Sequence, residues 1–364
     1  MSITQRIAQP KITHKIPMST KAKFFLTAPL TIRNIAQMIS KPGKAKITFN
    51  QTGAVSNHLT IPFILSISFY LRYFHYNEFI TNNQTNLKFF KNLHGNNQFG
   101  KNKIMKFGHN VFFENENDEV LVFDKRSINI DEAYKYISHN PIYKFWSWFT
   151  YRFLAIPYAF FVFRLIKNIK FYNTKVLKQY KKSGYFIYAN HTNQFADGFC
   201  PALICFPQKP YLIVNSSNVA IPFARRLTKM WGAIPLPDNI KSTKNFYNAI
   251  EHVLNKKNPI VIYPEAHLWP YYTKIRNFSS SAFRYPVKYN KPVFTFTTTY
   301  KLKKYGRKPK VEIYVDGPFF HDKNLNEKDS QQKLRDQVYI KLCERANLNN
   351  YEYVNYIKRE KAND

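Results

Sequence analysis

The sequence predicts an α/β fold whose central, mostly parallel β-sheet is flanked by helices and preceded by an apolar helical element. Two observations predict this fold. After Lys170, short apolar runs of strand character alternate with segments that can form helices, which is typical of α/β sheet domains. Before Lys170 lies a long apolar and aromatic segment, residues 145–163. The chain of 364 residues is long enough for one large domain and an appendage.

Residues 1–110 are predicted to form a basic leader with little packed structure. They contain 15 Lys and Arg but a single acid, Glu78, and they are rich in Asn and Gln without a sustained helical or strand period. Three interpretations stay open for this leader: an organelle transit peptide, a disordered basic arm, or upstream read-through ahead of an internal translation start at Met105. The internal start is the preferred interpretation.

Residues 111–170 are predicted to form a linker and membrane-docking helices. The stretch FWSWFTYRFLAIPYAFFVF, Phe145 to Phe163, is interrupted by Arg152 and Pro157. Its length approaches a bilayer span, but a central Arg costs about 2.5–3.5 kcal/mol in a membrane, and Trp with flanking bases is the composition of the interface. We therefore expect an interfacial element, a helix or a kinked helical pair that lies in one leaflet. A buried helix of a soluble domain is the alternative.

Residues 171–358 are predicted to form the α/β domain. Its helical segments include TKNFYNAIEHVLNKK, Thr243 to Lys257. The runs with strand character are GYFIYAN, KPYLIVN, NPIVIYPE, KPVFTFTTTY and KVEIYVDGPF. Each run ends next to polar residues, and the carboxyl ends of the strands are where α/β proteins usually place their sites.

The formal net charge of +33, from 55 Lys and Arg against 22 Asp and Glu, predicts a surface that attracts polyanions such as nucleic acid, anionic lipid headgroups or phosphorylated substrates. Charge alone does not choose among them. The three cysteines have neither CxxC spacing nor a His partner at metal-ligand spacing, so neither a disulfide framework nor a zinc site is expected. A reduced, cytosol-facing protein is the default.

The stretch YANHTNQFADGF, Tyr188 to Phe199, places His191 just after an apolar run and Asp197 six residues further on. A histidine at the end of a buried strand can act as a general base when a carboxylate fixes its tautomer and stabilises the imidazolium. Strand-end histidines more often cap or pack, so the pair alone is a weak signal. The chain shows no GxSxG elbow, partnered cysteine or GxxxxGK[ST] loop. A His–Asp pair without its own nucleophile suggests that the base activates a substrate hydroxyl, in a one-step transfer to an alcohol.

A second group of candidate residues lies in YPEAHLWPYYTKIRNF, Tyr263 to Phe278, after a strand-like run. Its charged and titratable members are Glu265, His267, Lys274 and Arg276. Cations with several donors at a strand end suit a phosphate, because Arg offers bidentate contacts and Lys a point charge. Glu265 can hold one of these cations or a substrate hydroxyl. A solvated basic loop is the alternative, although the interleaved aromatic residues favour an ordered one.

Four motifs in order resemble those of the phospholipid/glycerol acyltransferase superfamily, whose membrane-associated members acylate glycerol 3-phosphate and lysophosphatidic acid. NHTNQFADGF resembles the first motif, and YPEAHLWPYYTKIR resembles the third, which is usually Phe-Pro-Glu-Gly. WGAIPLP, Trp231 to Pro237, stands at the place of the second motif, and KPVFTFTTTY at that of the fourth. The resemblance covers about residues 114–358.

The sequence departs from the family pattern at three points. Five residues separate His191 from Asp197 where four are usual, as in a Gram-positive-type branch of the family, so one residue must bulge for the pair to meet. Ala266 replaces the glycine of the third motif. The Arg that commonly ends the second motif is absent, so other cations must form the phosphate clamp. The expected substitutes are Lys274 and Arg276, or Lys241 and Lys244.

The resemblance implies a 1-acylglycerol-3-phosphate O-acyltransferase-like enzyme. His191, oriented by Asp197, would remove a proton from a glycerol hydroxyl of lysophosphatidic acid or a related lysophospholipid. That hydroxyl would attack the thioester of acyl-CoA or acyl carrier protein, with the backbone near Gly232 as a possible donor to the oxyanion. No metal or bound cofactor is required. The expected substrate-binding residues are Asn190, Gly232, Tyr263, Pro264, Glu265, Lys274 and Arg276.

The expected partners are anionic membrane lipids, the lysophospholipid acceptor and, as one of the two donors, acyl carrier protein, with no nucleic acid. A cationic face beside an interfacial helix would bring the site to anionic substrates, at about 1 kcal/mol per well-placed Lys or Arg. The expected location is the cytoplasmic face of the cell membrane, as a peripheral or monotopic protein of phospholipid biosynthesis. One alternative is a nucleic-acid-binding protein, although no RNP-like or zinc-knuckle pattern is present. The other is a non-catalytic membrane-binding protein with the same fold.

Overall fold

The computed structural model describes residues 105–120, 128–220 and 225–359. The strands are β1 (Met105–Phe113), β2 (Lys170–Tyr172), β3 (Phe186–Ala189), β4 (Tyr211–Val214), β5 (Ala233–Pro235), β6 (Ile260–Ile262), β7 (Val293–Lys301), β8 (Lys310–Phe319) and β9 (Tyr351–Lys358). The helices are α1 (Pro141–Ile166), α2 (Ala196–Ile204), α3 (Arg225–Met230), α4 (Ile240–Asn255), α5 (Arg284–Lys288) and α6 (Glu327–Ala346). Short 3₁₀ segments cover Thr174–Tyr180, Ser216–Val219 and Ser280–Phe283. Residues 1–104 of the predicted leader lie outside the described part.

Strands β2 to β8 form a seven-stranded sheet, counted over the described residues, in the spatial order β2-β8-β7-β3-β6-β4-β5. The central strand β3 pairs in parallel with β6 and β7, and β4 pairs in parallel with β6 and β5. Strand β8 runs antiparallel to β7, and β2 is parallel to β8. This confirms the predicted fold class, a mostly parallel sheet flanked by helices. The five parallel strands all end at one edge of the sheet, here named the carboxyl edge.

Helices cover both faces of the sheet, so its central strands are buried on both sides. In β3, Ile187 and Ala189 pack in one apolar cluster with Phe163 of α1. Phe186 and Tyr188 face the other way and pack in a second cluster, with residues of α4 and α6. This alternation follows from the two-residue period of a strand. Cover on both faces explains why the sequence of β3 is a continuous apolar run.

Helix α1 packs one stripe of residues against the sheet domain and exposes another. Tyr151, Ala155, Ala159 and Phe163 are buried at four-residue spacing, which keeps them on one helical face. The exposed large apolar residues of the helix are Ile142, Phe145, Trp148, Phe153, Phe160, Phe161, Leu165 and Ile166. Of the helices in the described ranges, α1 alone is long and apolar enough to cross a bilayer. An exposed apolar surface of this extent is typical of a site that contacts a membrane or a partner.

The two residues that interrupt the apolar segment are accommodated within α1. Arg152 donates to the Pro207 carbonyl of the sheet domain, so its charge is held by the protein and not by the exposed apolar face. Pro157 lies between two π-helical segments. Proline lacks the N–H that a regular helix uses, and π-turns are a known adjustment at such points. The helix therefore continues as one element from Pro141 to Ile166.

A half-buried lysine, Lys209, connects the first half of α1 to the sheet. Lys209, just before β4, donates to Ser147 Oγ at 3.2 Å. Its Nζ also lies 5.1 Å from the ring centre of Tyr151 and 5.2 Å from that of Tyr211. Burial, helped by the positive charge of Arg152, lowers the pKa of Lys209 to about 7. The amine therefore loses its charge in the folded protein at a pH where the unfolded chain still carries it.

A second, two-stranded sheet joins the ends of the described region, with β1 and β9 paired in parallel. Residues 105–110, which the sequence analysis placed in the leader, are therefore part of a strand. That assignment was wrong because the partner strand lies at the far end of the chain, and a short polar run has little strand signal by itself. Tyr356 of β9 stacks on Trp269 with ring centres 5.0 Å apart, which places this small sheet on the loop that follows β6.

Lys209 should make the stability of the protein depend on pH. From about pH 7 to about pH 10 the unfolded chain binds a proton there that the folded protein does not, so the free energy of unfolding should rise with pH. We expect Lys209→Met to flatten this rise, as measured by urea unfolding between about pH 7 and about pH 9. The control is Lys323→Met, at an exposed lysine beyond β8. Equal slopes in wild type and Lys209→Met would contradict the prediction.

Candidate active site

The carboxyl end of β3 carries the histidine that the sequence singles out. β3 ends at Ala189, Asn190 follows, and His191 begins the turn into α2. The Asn190 side chain donates to the Thr298 carbonyl at 3.0 Å and accepts from the Thr298 amide at 2.8 Å. Asn190 was expected to bind substrate, but it is 2% exposed and both groups of its amide are bonded to β7. Its role is to fix the chain just before the histidine.

His191 and Asp197 are in direct contact. His191 Nδ1 donates to Asp197 Oδ2 at 2.8 Å, which leaves Nε2 as the unprotonated ring nitrogen. The same carboxylate oxygen accepts the backbone amides of Thr192 at 3.1 Å and Asn193 at 3.0 Å. The side chain of Asp197 is 4% exposed and that of His191 is 24% exposed. A buried carboxylate thus orients a ring that still reaches solvent.

Burial and hydrogen bonding act on the pKa of Asp197 in opposite directions. Burial raises the pKa of Asp197, and the hydrogen bonds from His191, Asn193 and Thr192 oppose this rise. Over the described residues, no group of three or more His, Cys, Asp or Glu side chains is arranged to hold a metal ion.

A turn takes up the extra residue between the histidine and the aspartate. Gln194 and Phe195 form this turn, and α2 starts at Ala196. Asn193 closes it, since its side chain accepts the Ala196 amide at 3.2 Å and its carbonyl accepts the Asp197 amide at 2.9 Å. The bulge that the spacing requires is this turn, and it sets Asp197 in the first turn of α2, facing back to the histidine.

Neighbours on two other elements fix the backbone of the turn. Tyr300 of β7 donates its hydroxyl to the Thr192 carbonyl at 2.9 Å. From the loop after β6, the Trp269 amide donates to the His191 carbonyl at 3.1 Å and the Tyr271 amide to the Thr192 carbonyl at 2.8 Å. This role of Tyr300, Trp269 and Tyr271 was not predicted from the sequence. Their positions within the fourth and third motifs were the available signal.

Tyr263, expected to bind substrate, packs directly on the His–Asp pair. Its ring centre lies 4.6 Å from that of His191, at an interplanar angle of 30°. Its hydroxyl donates to the Asp197 carbonyl at 2.6 Å. Pro264 then begins the turn that redirects the chain after β6. Tyr263 therefore limits the orientations open to the imidazole.

Glu265 and Arg276 form a buried ion pair on the same loop. Arg276 donates to Glu265 Oε2 through Nε at 3.1 Å and through Nη2 at 2.9 Å, and Nη1 donates to the Glu116 carbonyl at 3.1 Å. Nη2 also donates to the His267 carbonyl. Arg276 is 1% exposed, and its guanidinium lies 4.7 Å from the ring centre of Trp269. This arrangement does not fit the phosphate contact expected of Arg276, because its donors are bonded to the protein.

The other oxygen of Glu265 is in a different situation. Oε1 is buried and has no hydrogen-bond partner among the described residues. Burial raises the pKa of Glu265, which Arg276 opposes most strongly and His191 more weakly. Glu265 is therefore near enough to His191 to interact with it electrostatically. Oε1 is thus the one side-chain polar atom of the Glu265–Arg276 pair that the described residues leave without a hydrogen-bond partner.

The remaining predicted cations lie on the surface. Lys274 is exposed, as are Lys241 and Lys244 in the first turns of α4. Because α4 follows the end of β5, its first turns lie at the carboxyl edge. Arg225 and Arg226, which the sequence analysis did not single out, are exposed at the start of α3. Exposed cations can meet a phosphate there without the cost of an unpaired buried charge.

Gly232 does not lie at the site, and its predicted substrate and oxyanion role is wrong. It stands at the start of β5, where its carbonyl accepts the Leu212 amide at 2.9 Å, at the edge opposite His191. Its own amide donates to the Lys229 carbonyl at 3.2 Å. At φ +107°, a Cβ here would come within 2.8 Å of the Pro210 carbonyl oxygen. The glycine is needed for this close backbone approach.

Ala266 occupies the position of the motif glycine and adopts a backbone conformation that glycine prefers. Its φ is +62°, in the left-handed region. The Ala266 amide donates to the Tyr263 carbonyl at 3.1 Å, and the His267 amide donates to the Glu265 carbonyl at 2.8 Å. A non-glycine residue in this region costs on the order of 1 kcal/mol. The tight turn that presents Glu265 therefore contains local strain.

Comparison with known proteins gives a family-model match for part of the chain. Residues 168–299, which contain both buried pairs, match the protein-family model described as Acyltransferase. Among solved structures, the chain is similar to the crystal structure of the 1-acyl-sn-glycerophosphate (LPA) acyltransferase PlsC from Thermotoga maritima. That similarity has 16% sequence identity and a TM-score of 0.36, and it covers 56% of this chain and 95% of that chain. No curated protein matches the chain.

Loss of the Glu265–Arg276 ion pair should lower the stability of the protein by an amount that depends on pH. Arg276→Met should lower the free energy of unfolding by about 3–5 kcal/mol, because it leaves Glu265 buried without its partner. The loss should be smaller near pH 5 than near pH 8, because a raised pKa favours the protonated carboxyl at the lower pH. The double variant Glu265→Gln/Arg276→Met should recover part of the loss in urea unfolding. An Arg276→Met protein of unchanged stability with weakened phosphate binding would contradict this.

Replacement of Ala266 by glycine should not destabilise the protein, although glycine usually lowers stability when it replaces alanine. Ala266→Gly should leave stability unchanged or raise it by up to about 1 kcal/mol, because relief of left-handed strain offsets the greater freedom of glycine in the unfolded chain. The matched control is Ala249→Gly in α4, which should cost about 1 kcal/mol or more. Thermal unfolding compares the two variants. Equal destabilisation by both would show that the turn does not need its positive φ.

Proposed function

We propose that this protein, whose residues 168–299 are an acyltransferase domain of the phospholipid/glycerol acyltransferase superfamily, moves a fatty acyl group from an acyl thioester to a glycerol hydroxyl of lysophosphatidic acid or a related lysophospholipid. The observation that carries the proposal is the 2.8 Å contact between His191 Nδ1 and Asp197 Oδ2 at the carboxyl edge. It leaves a basic nitrogen on a ring that is partly open to solvent, inside the segment that matches the family.

In the proposed reaction, the acceptor hydroxyl gives its proton to His191 Nε2 while its oxygen attacks the thioester carbonyl. Asp197 stabilises the imidazolium that forms. The tetrahedral intermediate then collapses, the carbon–sulfur bond breaks, and the imidazolium returns the proton to the leaving thiolate. The products are the acylated glycerol phosphate and the free thiol of CoA or acyl carrier protein. The histidine regains its starting state without a bound cofactor.

The acceptor is proposed to meet two kinds of groups. Its phosphate is assigned to the exposed cations Lys274, Lys241 and Lys244, because Arg276 is bonded within the protein. The Glu265–Arg276 pair instead shapes the wall of the site. The unpartnered Oε1 of Glu265 would accept a hydrogen bond from an acceptor hydroxyl. Because the Glu265 side chain is 0% exposed, this contact requires the loop after β6 to move aside when the acceptor binds.

Membrane association is part of the proposal. The exposed aromatic face of α1 supplies an apolar contact, and the net charge of +33 attracts an anionic bilayer. The turn from His191 to Asp197 is here named the active turn. The end of α1 lies next to it, since Lys167 Nζ lies 5.3 Å from the ring centre of Phe195. We propose a peripheral or monotopic protein at the cytoplasmic face of the membrane, with acyl-CoA or acyl carrier protein as the donor.

Acyl transfer from radiolabelled acyl-CoA, and separately from acyl-loaded carrier protein, to lysophosphatidic acid tests the proposal in membranes that contain the full chain. His191→Ala should lower the rate by at least about 10²–10⁴-fold, the usual contribution of a general base. Asp197→Asn should also lower the rate, because the ring loses its fixed tautomer. The matched control is His321→Ala, beyond the end of β8 at the opposite edge of the sheet. An undiminished rate in a folded His191→Ala protein would disprove the assignment.

A further inference from the structure

Helix α2, which carries Asp197, has a proline in its interior. The helix runs from Ala196 to Ile204, and Pro201 stands four residues after Asp197. In a regular helix the amide at that position would donate to the Asp197 carbonyl, but proline has no N–H group. Pro201 therefore removes the helical donor for the backbone carbonyl of the aspartate that orients His191.

Tyr263 supplies a donor to this carbonyl from another element. Its hydroxyl lies 2.6 Å from the Asp197 carbonyl oxygen. Tyr263 comes directly after β6, which pairs in parallel with β3 and places Ile262 beside Tyr188. The tyrosine therefore lies at the carboxyl edge, next to the end of β3 that leads to His191. A side chain from the sheet thus takes the place of the missing backbone N–H in α2.

The chemistry of the Tyr263 hydroxyl suits this role. Burial raises the pKa of Tyr263, and the negative charge of Asp197 raises it further. The hydroxyl therefore keeps its proton near neutral pH and can donate it to the carbonyl. Phe, the usual residue at this place in the third motif, has no hydroxyl. The hydrogen bond is therefore not one that the motif provides by itself.

The bond connects the aspartate to the sheet at a point where α2 has little support of its own. The N-cap residue Phe195 makes no side-chain capping bond. The Asp197 amide donates to the Asn193 carbonyl at 2.9 Å, but that bond lies within the active turn. The Tyr263 ring also lies 4.6 Å from the ring of His191, between centres. One side chain therefore contacts both members of the His–Asp pair.

We propose that Tyr263 is a positioning residue for His191 and Asp197, and that its hydroxyl replaces the backbone donor that Pro201 removes from α2. The tyrosine acts on the aspartate through the carbonyl and on the imidazole through ring packing. The positioning role rests on the proposed acyl transfer. A residue that acts in this way should affect the rate of the reaction and not the affinity for the acceptor, unlike the substrate-binding residue expected from the sequence.

The test compares Tyr263→Phe in the wild-type background and in the Pro201→Ala background, by acyl transfer to lysophosphatidic acid in membranes that contain the full chain. In the wild-type background, kcat should fall about ten-fold, because the carbonyl of the buried Asp197 loses its donor, while the KM for the acceptor stays within about two-fold. In the Pro201→Ala background, a backbone amide can donate to the same carbonyl. There, Tyr263→Phe should lower kcat less than about three-fold.

Two further variants complete the comparison. Tyr263→Leu removes the ring as well as the hydroxyl, so it should lower kcat in both backgrounds. The matched control is Tyr289→Phe, which removes a hydroxyl that donates to the Tyr247 carbonyl at 3.0 Å. Tyr289 precedes β7, at the edge of the sheet opposite the active turn, so kcat should stay the same in the control.

Urea unfolding measures the hydrogen bond without any acyl transfer. Tyr263→Phe should lower the urea midpoint more in the wild-type background than in the Pro201→Ala background, because the two positions share one carbonyl. Tyr289→Phe should lower it equally in both backgrounds. These measurements also show that each variant is folded.

Two results would overturn the proposal. Equal losses of kcat from Tyr263→Phe in the two backgrounds would show that the hydroxyl does not act through the Asp197 carbonyl. A raised KM at unchanged kcat would make Tyr263 a substrate-binding residue. A wild type that transfers no acyl group would refute the proposed function and the positioning role with it, whereas unequal urea midpoint losses would still establish the link between Tyr263 and Pro201.

Discussion

The active turn depends on one buried oxygen atom, Oδ2 of Asp197. It accepts a hydrogen bond from His191 Nδ1 and from two backbone amides, so the same atom sets the imidazole and the turn that carries it. An isolated carboxylate at this depth would cost several kcal/mol. Three donors around a single oxygen offset much of that cost, and they do so in one arrangement of the chain. The hydrogen bonds that hold Asp197 therefore also set the direction in which Nε2 of His191 points.

The buried Glu265–Arg276 pair connects the loop that supports the active turn to the two ends of the described chain. Arg276 joins Glu265 to the Glu116 carbonyl, and the Trp269 indole donates to the Asp118 carbonyl at 2.8 Å. The segment just after β1 is thereby tied to the loop after β6, whose amides hold the His191 carbonyl and its neighbour. The β1–β9 sheet lies outside residues 168–299 yet packs on this same loop. Its removal would expose the Glu265–Arg276 pair and loosen the support of the active turn.

Sequence patterns predicted the features that depend on residues close together in the chain. They failed for features whose contacting residues lie far apart in the chain. The strands after Lys170 were predictable because burial on both faces leaves continuous apolar runs. The contact between His191 and Asp197 was predictable because the two lie within one turn. Arg276 was misjudged as a phosphate ligand, because a cation in a loop sequence does not reveal that it is buried against a carboxylate. The first strand and the structural role of Gly232 depend on backbone partners, which side-chain patterns do not report.

The attachment of α1 to the sheet limits how the helix can meet a membrane. At 1.5 Å per residue, its 26 residues extend about 39 Å, enough to cross a bilayer. However, Tyr151, Ala155, Ala159 and Phe163 are buried against the sheet domain along most of this length. A crossing helix would carry strands, polar loops and charged residues of that domain into the hydrocarbon, where their polar groups could not be solvated. A helix that lies flat would expose its aromatic face to lipid, while the charge of Arg152 is held by the Pro207 carbonyl. In that orientation the exposed aromatic face of α1 would lie along the lipid surface over the length of the helix.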